Sequence, residues 1–414
     1  MNKLWNKNFT LITIGTIISM LGSSIMGFAF GLMVYDLTKS TFLYALVSIA
    51  WLLPNFVLPL FAGAYLDRFS RKKVIYTLDA ISGVLFIILA GINYAGYFDF
   101  KLLLLASIVI GSIGSFYNVA YESFYPSLIS EGNYSKAYSI SSLIWPLSTT
   151  LMVPIAAVAY NKFGILPILI FNGISFLIAA VIETRIDAVE EHVVDKTEFD
   201  SKEKVSKFKQ FKNDLKDGIA YLKMEKGLKT VVYYFAITMM LTSIISNLQV
   251  PFFSSTAGYN TNQLSIAMSV AAIGRLCGGL IHYLFKYPVN QKYNIAIAVY
   301  LLIVVFEIVF YISPFYIMLL CYFMVGILGA TSFNIRVSAT QSYVPNDKRG
   351  RFNGIFAMMI SCGTLFGALI AGILGEIFDF RSIIVIANII NFIFVFVLMI
   401  KNKDSVKKLY NRNA

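Results

Sequence analysis

The feature that most constrains this chain is the recurrence of apolar stretches, each roughly 20 residues long, separated by short polar turns. A helix of about 20 residues rises about 30 Å, enough to cross the hydrocarbon core of a bilayer. A strand that spans a membrane needs about ten residues of alternating polarity, a pattern absent here. The spacing predicts twelve helical spans, at 9–35, 41–65, 73–97, 101–125, 136–160, 164–183, 227–254, 261–285, 292–312, 314–340, 351–376 and 381–401. Composition agrees, because 58% of the residues are hydrophobic and 14% charged, too apolar a balance for a surface that faces water. The first span is too long for a signal-peptide core and lacks a small-residue cleavage site, so it is expected to stay in the protein.

An even number of spans puts both ends of the chain on one side. On that side fall Arg68, Arg71, Lys72 and Lys73, the run 202–229, then Lys348, Arg349 and Arg351, and the tail 401–412. The opposite side carries Lys39, Lys101, Lys162 and Arg381. This asymmetry is the positive-inside signature, so the expected location is the bacterial cytoplasmic (inner) membrane, multi-pass, with both termini cytoplasmic. It also accounts for the net charge of +12 without a nucleic-acid partner. Cys277, Cys321 and Cys362 fall inside spans without CxxC spacing and read as small packing residues. His192 and His282 are too few and too far apart for a metal site, and no GxxxxGK[ST] sequence occurs. No metal and no cofactor are expected, and gradient energy is expected in place of ATP.

The polar segment between the sixth and seventh spans divides the chain into an N-terminal bundle over 1–183, a cytoplasmic middle loop over 184–226, and a C-terminal bundle with a basic tail over 227–414. Within the loop, Phe208, Phe211, Leu215, Ile219 and Leu222 recur at helical spacing among lysines, which suggests an amphipathic helix on the membrane surface, or else a solvated linker. The halves also echo each other. GSIGS at Gly111 recurs as GILGA at Gly326, 215 residues on, and Gly63 with Gly278 and Phe163 with Phe378 keep the same offset. The predicted fold class is an all-α membrane protein with twelve transmembrane helices in two six-helix bundles, related by a parallel pseudo-repeat. Two such bundles suit a carrier whose central cleft opens alternately to either side by rocking. The close pairs Gly27 and Gly31, Gly274 and Gly278, and Gly363 and Gly367 are expected at tight helix contacts.

The sharpest local signal is GAYLDRFSRKK, Gly63 to Lys73, after the second span. It resembles the loop between helices two and three of the major facilitator superfamily, with Gly63, Asp67, Arg68, Arg71 and Lys72 at the expected places. The alternative is a basic turn that only sets topology. VYDLTKS at Val34, YPSLISEGNYSKA at Tyr125 and QSYVPNDKRGRFNG at Gln341 are similar to the branch with macrolide efflux pumps and the enterobactin exporter. The resemblance implies efflux, and it implies that the Gly63 loop, with Asp67 and Arg71, is a conformational latch between the halves. The chain departs from the drug antiporters of that family in several places. Ser107 stands where they carry an arginine in helix four. Trp145-Pro146 and Val153-Pro154 keep prolines without glycines in helix five, and His282 occupies the place of Asp67 in the second half.

Ionisable groups inside a bilayer cost about 2.5–3.5 kcal/mol on insertion scales, so each is a functional candidate until a structural partner is found. Asp79 is expected to brace the basic cluster from Arg68 to Lys73. Glu122 lies beside Asn118 on a helix where Tyr117, Tyr121 and Tyr125 repeat at i+4. The resemblance places that helix at the central cavity, where aromatic faces and one carboxylate suit a small amphiphile; an aromatic core stripe with an interfacial acid is the other reading. Asn334 and Arg336 lie in the tenth span, where Arg336 either pairs with Glu122 across the halves or snorkels to the interface. Arg275 and Glu307 either neutralise one another or leave Glu307 to carry protons. Asn247 and Gln249 with Pro251 suggest a break near the outer end of the seventh span. The reading is a secondary active transporter that exports small amphiphilic molecules, drug- or macrolide-like, with the proton as coupling ion. A lipid or glycolipid flippase, or a siderophore-type exporter, is the alternative on the same fold. A membrane enzyme or sensor would need a catalytic constellation or soluble domain that the sequence lacks. Membrane lipid is the one other partner expected, and the state expected is a monomer.

Overall fold

The structure, a computed structural model, describes residues 4–59, 69–130, 133–188, 219–284 and 288–411. Among these, eleven helices are long and apolar enough to cross a membrane, and a shorter apolar helix follows the first. The first six are α1 (Lys7–Thr38), α2 (Thr41–Val57), α3 (Arg71–Tyr94), α4 (Phe100–Phe124), α5 (Tyr134–Phe163) and α6 (Leu166–Thr184). The second six are α7 (Lys226–Ser255), α8 (Thr261–Leu284), α9 (Lys292–Ile312), α10 (Phe315–Tyr343), α11 (Asn346–Gly375) and α12 (Phe380–Phe394). A short terminal helix, α13, covers Lys403–Tyr410. The expected second span reaches past Val57 into residues outside the described set. So does most of the expected amphipathic helix of the middle loop.

Short polar residues set the helix starts. Asn6, Ser70, Asp99 and Asp379 each accept a backbone N–H from the first turn of α1, α3, α4 and α12, satisfying donors that the helix itself leaves open. Lys39, with φ of 49°, closes α1 in the left-handed conformation. The last turns of α12 widen to i→i+5 bonding, with Lys401 N donating to Phe396 O at 2.9 Å.

The chain forms two compact units, one of residues 1–39 and 46–200, the other of residues 40–45 and 201–414. In the first unit α1 packs on α5 and α6, while α3 packs on α6 and α4. In the second, α7 packs on α11 and α12, and α9 on α12 and α10. Each pairing recurs six helices later in the same direction along the chain, which is the parallel repeat expected of the sequence. The glycines show it atom by atom. A Cβ at Gly111 of α4 would collide with the Trp51 carbonyl of α2, and one at Gly326 of α10 with the Ala271 carbonyl of α8. In lipid, where no hydrophobic drive brings helices together, such backbone contact supplies the dispersion energy that does. Gly274 and Gly278 sit at the same α8–α10 contact, and Gly363 and Gly367 press α11 against α7. Gly27, expected at such a contact, has open space at its Cβ.

The basic tail is not a loose extension. Val406, Leu409 and Tyr410 are fully buried, and the Tyr410 hydroxyl meets that of Tyr300 at 2.8 Å. Asn411 then accepts the Tyr293 N–H at 2.9 Å and donates to the Asn290 carbonyl at 2.8 Å. Helix α13 therefore presents its lysines outward while its apolar side completes the core of the second unit.

Candidate functional site

The i+4 tyrosines of α4 do form a stripe. Tyr117 and Tyr121 stack with centroids 6.0 Å apart, and Tyr121 and Tyr125 with centroids 5.1 Å apart. Tyr117, Asn118 and Tyr121 line a cavity of about 120 Å3 together with Thr16 and Met20 of α1 and Ser141, Ile144 and Trp145 of α5. The walls are mostly aromatic and apolar, with a few side-chain hydroxyls and one amide, the lining expected for an amphiphilic ligand. Asn118 and Glu122 are exposed on α4. Ser107, at the position where the drug antiporters have arginine, is buried and donates to its own helix at Leu103 O, 2.8 Å away.

Behind the stripe lies a feature the sequence reading did not anticipate. Asp79 of α3 and Glu183 of α6 are 1% and 0% exposed, and their carboxyl groups interact with one another. Asp79 Oδ2 and both Glu183 oxygens lack a normal hydrogen-bond partner. Gly15 of α1 makes the room, since a Cβ there would come within 2.9 Å of Glu183 Oε1. The expected bracing of the basic cluster by Asp79 is not what the described residues show. Asp79 sits two turns into α3, on the side facing α6, so it meets Glu183; Arg68 lies outside the described residues. Two like charges about 4 Å apart repel by about 4 kcal/mol at an effective dielectric of 20, so this pair is costly with both groups ionised. Asp79 was visible as an intramembrane acid, but Glu183, at the end of its span, reads as an interfacial residue until α3 and α6 are known to be neighbours.

The second unit reverses this arrangement. The Arg336 guanidinium lies 4.6 Å, 5.1 Å and 5.3 Å from the ring centroids of Phe356, Phe235 and Phe333, an aromatic seat for a cation. Asn334, half-buried, is on the same helix. Arg275 and Glu307 form no ion pair, which corrects that expectation. Helix α8 packs on α10 whereas α9 packs on α10 and α12, so the two side chains belong to different contacts. Arg275 comes within electrostatic reach of Tyr322. Tyr322 in turn accepts from Gln249 Nε2 at 2.5 Å and meets the Tyr311 hydroxyl at 3.4 Å. The expected break in α7 is also absent. The helix runs through Pro251 to Ser255, Asn247 Nδ2 donates back to Ser243 O at 2.9 Å, and the Ser255 hydroxyl donates to Pro251 O at 2.7 Å.

Of the expected latch, Gly63, Asp67 and Arg68 lie outside the described residues. Arg71 donates from Nη1 to the Ser123 carbonyl at 3.1 Å, tying the start of α3 to the end of α4. Lys72 lies in electrostatic reach of Asp187, which is paired with Lys7. Lys7 holds the exposed Asp187 carboxyl below the usual carboxylate range. The other quoted motifs are turns that close on themselves. The Tyr125 hydroxyl donates to Ala137 O at 2.9 Å, Gln341 Nε2 to Asn353 Oδ1 at 2.9 Å, and the Tyr343 hydroxyl to Glu225 Oε2 at 2.7 Å. At the other end of the second unit, Glu376 caps α2. Its Oε1 accepts from Ser40 Oγ at 2.6 Å and Phe42 N at 2.9 Å. The Phe42 N–H, the Ser40 hydroxyl and Thr41 hold the Glu376 carboxyl below its ordinary range. No local pattern around Glu376 announces this role, because its partners are distant in sequence.

Comparison with known proteins decides the family. The model of the Major Facilitator Superfamily matches residues 12–306 and 289–413. The chain belongs to the Major Facilitator Superfamily. It is therefore a multi-pass membrane transporter and not an enzyme. One curated relative, described as the uncharacterized MFS-type transporter YkuC of Bacillus subtilis (strain 168), is 24% identical over 301 residues, which cover 72% of this chain and 69% of the relative. Among solved structures, the nucleoside transporter NupG shares the fold with a TM-score of 0.69 at 15% identity, covering 95% of this chain and 98% of NupG. A bacterial homologue of the human lysosomal transporter Spinster, in an inward-facing and occupied conformation, has a TM-score of 0.65 at 11% identity, with 98% of each chain covered. The superfamily fold places one pseudo-equivalent bundle in each half, and the two units here differ in chemistry more than in helix packing.

Proposed function

We propose that this superfamily member is a secondary active exporter of small amphiphilic molecules, driven by a proton gradient through alternating access. The observation that carries the reading is the α4 tyrosine stripe and the cavity it lines, where stacked rings, Asn118 and two hydroxyl-bearing neighbours offer an amphiphile both a flat apolar face and hydrogen bonds. Glu122 on the same helix supplies negative charge for a cationic headgroup. Efflux as the direction rests on the motif order of the sequence. The distribution of lysines and arginines supports cytoplasmic termini in a bacterial inner membrane. The Gly63 to Lys73 loop, with Asp67, Arg68, Arg71 and Lys72, is assigned as the conformational latch.

The test is accumulation of a fluorescent cationic amphiphile and a labelled macrolide in cells expressing the protein, with and without a protonophore, beside Glu122→Gln. Lower accumulation that the protonophore abolishes, and that Glu122→Gln weakens severalfold for the cation, is the expected result. Unchanged accumulation of both compounds would contradict the reading and favour a lipid substrate on the same fold.

A further inference from the structure

We infer that Asp79 and Glu183 together form a proton-binding site inside the N-terminal unit, which exchanges its proton with the tyrosine-lined cavity through the hydroxyl of Tyr117. The inference deepens the gradient-driven reading above by naming the site the proton occupies. Three observations converge on it. The two carboxyl groups are buried against each other, with three of their oxygens unpartnered, so the site has acceptors and no donor. The Tyr117 hydroxyl is likewise buried without a partner, lies in electrostatic reach of both acids, and belongs to a side chain that lines the cavity. Gly15 keeps α1 close enough to seal the pair from above.

The surrounding groups are compatible with a proton and poorly suited to a metal. From α4 the titratable groups that face the pair are Tyr117 and Tyr121, and Tyr138 of α5 faces Tyr121. From α1 come Gly15 and Thr16, which do not titrate. Arg71 of α3 is engaged with Ser123, Lys7 with Asp187, and Arg185 after α6 is exposed. No described cation neutralises the pair. A hydronium ion that gives up its proton leaves water and forms one carboxyl O–H bond, which the second carboxylate accepts as a hydrogen bond. The net charge of the site falls from two negative to one. Release reverses the step. A Cα–Cα repeat partner for the pair is missing, since the offset of 215 residues leads from Asp79 to Asn294 and from Glu183 to Leu398.

The test is infrared difference spectroscopy of the purified full-length protein, titrated from mildly acidic to mildly alkaline pH. It reads the protonated carboxyl stretch without any transported substrate, so it is independent of the substrate assigned above. The wild type is expected to show a buried carboxyl band that titrates, shifts on deuteration, and is lost in both Glu183→Gln and Asp79→Asn. Tyr117→Phe is expected to keep the band and slow its deuteration severalfold. Absence of a titrating band in the wild type, or a band unchanged in both amide variants, would overturn the proposal. So would a band that sodium abolishes at constant pH, which would make the site a metal-cation site. Because the wild-type titration is decisive alone, a variant that fails to fold does not leave the question open. If the band behaves as expected while no amphiphile is transported, the substrate reading fails and the proton site stands.

Discussion

The N-terminal and C-terminal units are built from the same helix pairings but bury opposite charges. The first holds two carboxyl groups between α3 and α6 with no described cation; the second holds the Arg336 guanidinium among three phenylalanine rings with no acid beside it. The packing repeats because the close helix contacts depend on glycines that keep the offset of 215 residues. The charges do not repeat, which teaches that the fold is conserved between halves while each half is free to specialise. A buried pair of acids can take up a proton, whereas a guanidinium stacked on rings is fixed in charge and serves packing or a partner anion.

The largest effect should come from breaking the shared packing. Gly111→Val and Gly326→Val each drive a side chain into the backbone carbonyl of a neighbouring helix, at a cost of about 3 kcal/mol or more. Both are expected to lose monodisperse, folded protein in detergent by size-exclusion chromatography. Loss in only one would show that the halves are not equivalent even in packing.

A smaller contrast concerns the charges themselves. Arg336→Gln removes a cation from three rings and should lower the melting temperature, by an amount equivalent to about 2 kcal/mol. Glu183→Gln removes a buried charge that lacks a counter-ion, so stability should stay within about 1 kcal/mol of wild type or rise. Thermal unfolding of the two purified variants side by side checks the sign of the difference.

The smallest effect is at Glu376. Its carboxyl is held below the ordinary range by the α2 N-terminus, so the group is more acidic folded than unfolded. The contribution it makes is present above the unfolded carboxylate range and is lost as pH falls through the lowered folded value. Intrinsic-rate-corrected hydrogen exchange at the Phe42 amide should therefore be slow near neutral pH and several times faster under acid conditions, with Glu376→Gln fast throughout.

Much of this was legible in the sequence. Apolar length gave the spans, Asn6, Ser70, Asp99 and Asp379 marked helix starts, and the Gly111 to Gly326 offset pointed to contacts that the structure shows. The tyrosine stripe followed from i+4 spacing alone. What stayed hidden depends on which helices are neighbours and how each is rotated. Asp79 could not be matched to Glu183, nor Glu376 to Phe42, without tertiary structure. Arg275 and Glu307 were paired by proximity of spans, an inference that fails because sequential helices in this fold are not always packed together. Tyr410 was read as part of a basic tail because its apolar face is only three residues wide between lysines.

The central claim is that the N-terminal unit couples a proton to movement of an amphiphile. The most direct test reconstitutes the protein in liposomes and follows a fluorescent cationic amphiphile with and without an imposed pH gradient, for wild type and Glu183→Gln. The account predicts that the gradient drives accumulation in the wild type, and that Glu183→Gln loses this drive while still equilibrating the dye. Gradient-driven accumulation by Glu183→Gln at the wild-type rate would contradict it.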